Sequence, residues 1–136
     1  MKQKTNADKV RDFMVAMGQP VDLPFGEAAI KKVTVEEAQR IFKAFTLALT
    51  LVDEEYNELT EADSPVNFLK ELGDLLYVTY FVFNTIGVDA DLVFARIHES
   101  NMSKLVDGKP VKREDGKILK GPNYRPPFLD DLVEAA

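Results

Sequence analysis

The chain of 136 residues has no cysteine and one histidine, His98. The first absence excludes disulfides and thiolate metal sites. No apolar run reaches the roughly 18 residues that a membrane span needs, because Asp53–Glu55 and Asp74 interrupt the two most apolar stretches. The first residues, Met1-Lys2-Gln3-Lys4-Thr5-Asn6, lead into no apolar segment of the signal-peptide kind. The expectation is a cytoplasmic protein that does not engage a membrane. Positive charge is also scarce: 17 Lys and Arg stand against 23 Asp and Glu, a net charge of −6. That balance argues against nucleic acid as a partner. An anionic small substrate stays compatible, provided bound cations or a local basic cluster offset repulsion. There is no internal repeat and no low-complexity segment.

What is present is an ordinary globular composition, 46% hydrophobic and 29% charged, enough for one core. The expected organisation is a single all-α domain over 1–136, with a core at 34–105 and a tail at 106–136. A subunit this small that needs a deep site gains by sharing walls with a copy of itself, which points to a homodimer or homotetramer.

Four helical patterns precede the tail. The first runs from an Asn6 N-cap to Met17, with Val10, Phe13, Met14 and Met17 on one face and Gly18 as the stop. A loop with Pro20, Pro24 and Gly26 follows. Thr34-Val35-Glu36-Glu37 has the form of a capping box. From there Ala38, Phe42, Phe45, Leu49, Val52, Tyr56 and Leu59 recur at alternating steps of four and three, the seam of a bundle helix ending near Ala62. Ser64-Pro65 opens the third helix, which is apolar nearly all round from Phe68 to Phe83 and ends at Gly87; that composition predicts a central, buried helix. The fourth runs from Asp89 to about Leu105, with Asp107-Gly108 as its stop. Short connections make these helices antiparallel neighbours, giving a four- to five-helix bundle. In the tail, Glu114-Asp115-Gly116 between Lys109–Arg113 and Lys117–Lys120 reads as a small hairpin or an extended, irregular loop.

The chemistry lies in the acids. Glu54, Glu55 and Glu58 form one stripe, because at about 100° per residue Glu58 lies roughly 60° from Glu55 and about 40° from Glu54. This stripe borders the apolar seam. Asp74 lies roughly 60° from Glu71, on an arc shared with Val78, Phe81 and Val82. Ionised carboxylates on a buried face are costly, and a cluster of them repels itself. A divalent cation would compensate. Oxygen ligands with no His or Cys nearby select a hard ion, Mg²⁺ with Mn²⁺ as a substitute. The competing readings are surface acids on charged helices, or a salt-bridged core for which Lys43 and Lys70 are the nearest cations in sequence.

Glu55-x-x-Glu58, followed after twelve residues by Glu71-x-x-Asp74, resembles the split signature of the all-α nucleoside triphosphate pyrophosphohydrolases. That superfamily includes MazG proteins, dimeric dUTPases and phosphoribosyl-ATP pyrophosphatases. Glu71-Leu72-Gly73-Asp74-Leu75-Leu76 is similar to the second half of the motif in MazG-like members. The tail, Asp107-Gly108-Lys109-Pro110 through Gly121-Pro122-Asn123-Tyr124, resembles a MazG-like branch of bacteria and phages. The resemblance implies hydrolysis of a (deoxy)nucleoside triphosphate to the monophosphate and pyrophosphate, in a nucleotide-pool or house-cleaning role. It also implies Glu55, Glu58, Glu71 and Asp74 as ligands of Mg²⁺, and Asn101 and Lys104 as phosphate and sugar contacts.

Glu54, beside the ligand pair, is the candidate general base or an exposed helix acid. Lys120, Tyr124 and Arg125 are candidates to close over a triphosphate, or belong to a solvated basic tail. His98 has no role in this pattern. Two alternatives stay open: a phosphoribosyl-ATP pyrophosphatase of histidine synthesis, whose members are usually shorter and lack this tail, and a non-enzymatic helical dimerisation module.

Overall fold

The computed structural model describes residues 2–134. Helices dominate: α1 (Asn6–Ala16), α2 (Glu27–Ile30), α3 (Val35–Thr60), α4 (Pro65–Ile86), α5 (Ala90–Met102) and α6 (Asp130–Glu134), with a two-stranded sheet of β1 (Val111–Lys112) and β2 (Ile118–Leu119). The fold is all-α, as the periodicity requires. The chain divides into two compact units, residues 2–90 and 91–134, described in turn.

In the first unit, α3 and α4 pack on each other and α1 packs on α4. Val10 and Met14 of α1, Ala48 of α3 and Phe81 of α4 form the buried centre, with Val21, Leu51, Tyr80 and Val82 packed around it. Local chemistry fixes the helix ends. Thr5, one residue before the expected Asn6, caps α1: its hydroxyl accepts from the Asp8 amide at 3.1 Å, and Asp8 accepts from the Thr5 amide at 2.9 Å. This reciprocal pair satisfies two otherwise orphaned donors. Thr34 caps α3 by accepting from the Glu37 amide, and Ser64 caps α4 by accepting from the Asn67 amide. Gly87 closes α4 at φ 69°, the left-handed conformation that glycine adopts without penalty. A Cβ there would meet Asp22 at 2.9–3.3 Å, so the α4 terminus and the loop after α1 fit closely. The Asp22 and Leu23 amides donate to the carbonyls of Asn84 and Thr85, and the Asn84 side-chain amide donates to the Ala7 carbonyl.

Two expectations about burial need correction. The inward line of α3 runs through Ile41, Phe45, Ala48, Val52, Glu55 and Leu59. Phe42, Leu49 and Tyr56, assigned to the seam, are exposed, and they form a second column with Val35 at seven-residue spacing. On α4, Glu71, Val78, Phe81, Asn84 and Thr85 are buried, but Leu69, Leu72 and Leu76 on the opposite side are exposed. The helix is apolar on both faces, and one chain covers one of them.

In the second unit, α5 ends at Met102, three residues earlier than expected. Asp107 and Gly108 do not stop it. With φ of 51° and 73° they form a tight turn whose flanking residues, Val106 and Lys109, pair across it. The hairpin forms, with Val111 opposite Leu119 and Lys112 opposite Ile118. The Gly116 amide donates to the Arg113 carbonyl and the Arg113 amide to the Lys117 carbonyl, closing its turn. The tail then lies along α5. Ser100 Oγ donates to the Arg125 carbonyl at 2.7 Å, the Arg125 amide donates to Ser103 Oγ at 2.9 Å, and Arg96 donates to the Phe128 carbonyl and to Asp131. Among the described residues no single helix is long and apolar enough to cross a membrane.

Candidate metal centre

Three of the four acids predicted from the sequence converge in the first unit. Glu55 stands on the inward line of α3, and Glu71 and Asp74 on α4. One oxygen from each lies within 4.8 Å of the others. Glu71 is the deepest, at 7% exposure; Glu55 and Asp74 are half-buried and Glu58 is exposed. Glu58 stands beside them, where the neighbouring carboxylates, Glu71 first and then Glu55, raise its carboxyl pKa above the ordinary value. Glu58 thus neighbours Glu55 and Glu71 without belonging to the converging group of three.

The opening of α4 positions Glu71. The Asn67 amide is held by the Ser64 cap, Asn67 Oδ1 accepts from the Asp63 amide, and Asn67 Nδ2 donates to Glu71 Oε1 at 3.2 Å. Lys70 adds a cation from the solvent side, 2.9 Å from Asp74 Oδ2 and 3.3 Å from Glu71 Oε1. These contacts, Asp74 first, raise the Lys70 pKa. Sequence reasoning did not assign Asn67 or Lys70 to the site. The signal was their spacing, since Asn67 precedes Glu71 by four and Lys70 precedes Asp74 by four, and such pairs meet on a helix surface.

A hard divalent cation fits this donor set. Every ligating atom is a carboxylate oxygen, and Lys70 supplies a single positive charge. Among the described residues, the buried side-chain oxygens without a hydrogen-bond partner are Glu55 Oε2 and Glu71 Oε2. Buried acceptors left unpaired are costly, and these two belong to the converging group. Oxygen-only coordination of this kind suits Mg²⁺ or Mn²⁺.

The remaining candidates are placed as follows. Glu54 is exposed on α3, about 100° around the helix from Glu55. Asn101, Lys104, Lys120, Tyr124 and Arg125 belong to the second unit. Asn101 is exposed in the last turn of α5. Lys104 lies past the helix end in a half-buried turn. Lys120 Nζ stands 4.7 Å over the Tyr124 ring, a cation–π contact.

The acidic cluster shared by two packed helices in an all-α chain is consistent with the MazG-like nucleotide pyrophosphohydrolases, the superfamily to which the matching family belongs. Within that class, residues 26–101 match the model of the phosphoribosyl-ATP pyrophosphohydrolase family. The match spans more than half of the chain and contains all four motif acids, and the chain belongs to that family. Its general activity is therefore nucleotide pyrophosphohydrolysis. No curated protein matches the chain significantly.

Proposed function

We propose that this chain is a Mg²⁺-dependent hydrolase that converts a (deoxy)nucleoside triphosphate to its monophosphate and pyrophosphate in a nucleotide-pool or house-cleaning role. The observation that carries the reading is the pair of buried, unpartnered oxygens on Glu55 and Glu71, within an acid group that also contains Asp74. Glu55, Glu58, Glu71 and Asp74 would hold the metal. When bound, it supplies charge neutralisation for the phosphates and acidifies water. The chain's own residues supply the rest. Glu54, solvated and adjacent to Glu55, takes the proton of the attacking water. Lys104, Lys120 and Arg125 offer positive charge to phosphate, Asn101 a donor to phosphate or ribose, and Tyr124 an aromatic face; Asn101 and Lys104 are proposed on the resemblance and on chemistry, the other three on chemistry alone.

The test is product identification with a panel of NTPs and dNTPs in Mg²⁺. Pyrophosphate released from at least one of them supports the reading, and orthophosphate as the sole product removes it. A second reading, a phosphoribosyl-ATP pyrophosphatase, is favoured by the description of the matched family. Against it, that match stops at residue 101 and leaves the whole hairpin-bearing tail outside. Complementation of a histidine auxotroph lacking that enzyme separates the two.

We also infer a homodimer or homotetramer in which a second copy covers the outer column of α3. Val35, Phe42, Leu49 and Tyr56 are all exposed, Phe42 at 74%. Gln39, Thr46 and Thr60 beside them are uncharged, and Asp53 places one charge between Leu49 and Tyr56. Thr46 and Thr50 spend their hydroxyl protons on the carbonyls of Phe42 and Thr46, so burial of this face would strand neither of these two donors. Four such side chains, with Leu69, Leu72 and Leu76 of α4, would offer on the order of 800 Å² per partner, the size of a stable interface. Light scattering should show an oligomer that Leu49→Glu dissociates; a wild-type monomer at tens of micromolar would contradict it.

A further inference from the structure

The position of Lys70 within the acid cluster carries one further consequence, which rests on the metal-site reading above. Its aliphatic stem rises from the solvent side of α4, 62% exposed, and its ammonium reaches both Asp74 Oδ2 at 2.9 Å and Glu71 Oε1 at 3.3 Å. Glu71 Oε1 also receives Asn67 Nδ2. The Glu71 oxygen facing the other way, Oε2, and Glu55 Oε2 are buried and receive nothing. Among the described residues, one monovalent cation therefore serves the outer edge of a group of three carboxylates, and the two unpartnered oxygens receive none.

We propose that Lys70 is the resident counter-ion of the metal-free site, and that a divalent cation binds by displacing its ammonium from Glu71 and Asp74. Two physical facts compel the competition. An oxygen shared between an ammonium and a dication gives each a poorer interaction than it would have alone, because the two cations repel across a few ångströms. Lys70 also has the freedom to leave, since its side chain is 62% exposed. A lysine in this place stabilises the empty site and weakens the metal's apparent affinity by the cost of its own release. That tuning suits an abundant hard cation over a trace one.

The signature is a pair of effects of opposite sign. Removing the charge should destabilise the metal-free protein and tighten metal binding. A merely structural lysine would give the first effect without the second.

The experiment is calorimetric titration of the full chain with Mn²⁺ alone, on the wild type, Lys70→Gln and Lys70→Arg, with Glu55→Gln as the control that the heat arises at this site. Thermal melts in EDTA and in saturating Mn²⁺ accompany it. Lys70→Gln is expected to bind Mn²⁺ about tenfold more tightly, to melt below the wild type in EDTA, and to lose that deficit once Mn²⁺ is bound. Lys70→Arg should keep the wild-type affinity to within about twofold, since its charge persists. Equal or weaker Mn²⁺ binding by folded Lys70→Gln, with heat still abolished by Glu55→Gln, would overturn the role of Lys70 and leave the metal site standing. Absence of heat from the wild type and from Lys70→Gln alike would remove both.

Discussion

Replacing Glu71 by glutamine tests the electrostatics of the site through stability, without reference to any substrate. Glu71 is 7% exposed and has an oxygen within 4.8 Å of oxygens of Glu55 and Asp74. At an effective dielectric constant of about 20, two unit charges about 5 Å apart repel by roughly 3 kcal/mol. Lys70 already offsets part of this, and its pairing with Glu71 is lost in the variant. The new side-chain amide can donate where the unpartnered oxygen stood, toward Glu55. The net expectation without metal is a gain of about 1–2 kcal/mol, or roughly 3–8 °C in Tm for a chain of this size. Saturation reverses the order. Metal at a hundred times its Kd stabilises the wild type by about 2.7 kcal/mol, whereas the variant has lost a ligand and gains little. Scanning calorimetry in EDTA and then in Mn²⁺ should therefore show the two melting curves exchange places. A variant less stable than the wild type in EDTA, or one stabilised equally by Mn²⁺, would refute the reasoning.

Three further predictions concern the scaffold. Arg11 pairs with Asp22 and, chiefly through that hydrogen bond, holds its carboxyl below the ordinary value. A depressed carboxyl stabilises above its unfolded value of about 4 and loses that contribution as pH falls through its folded value. The stability gap between the wild type and Asp22→Asn, followed by urea unfolding, should be constant from about pH 6 to 8 and shrink below about pH 4. Gly121→Ala would bring a Cβ to 2.7 Å from Val106 Cγ2 and 2.8 Å from the Lys104 carbonyl; a cost of about 1–3 kcal/mol should appear as faster proteolysis within residues 106–128. Thr5→Ala removes the α1 cap and should cost about 1 kcal/mol in chemical denaturation.

The acid pairs were legible in the sequence because helical pitch alone decides which residues share a face. Glu55 with Glu58, and Glu71 with Asp74, are each three apart, and no tertiary information is needed to bring them together within a helix. The choice between the two apolar columns of α3 was not legible. Ala38, Phe45, Val52 and Leu59 repeat every seven residues, and so do Val35, Phe42, Leu49 and Tyr56. Periodicity marks both as surfaces to be covered without saying which one the chain covers itself. The same ambiguity made α4 look central when Leu69, Leu72 and Leu76 are exposed. Thr5 displaced Asn6 as the cap because Asp8 completes a reciprocal pair with Thr5, three residues ahead. The fourth helix was expected to reach Leu105 but ends at Met102, where Ser100 and Ser103 bind the returning tail; contacts with Arg125, more than twenty residues away, leave no local trace. Lys70 was noted only as a nearby cation, since its reach to two carboxylates at once depends on rotamers that spacing does not fix.

The most direct test of the central claim is anomalous diffraction from crystals grown in abundant Mn²⁺. The account predicts anomalous density between α3 and α4, within about 2.0–2.3 Å of carboxylate oxygens drawn from Glu55, Glu58, Glu71 and Asp74, with Lys70 moved off Asp74. Density absent there, with the four side chains turned to solvent, would contradict it.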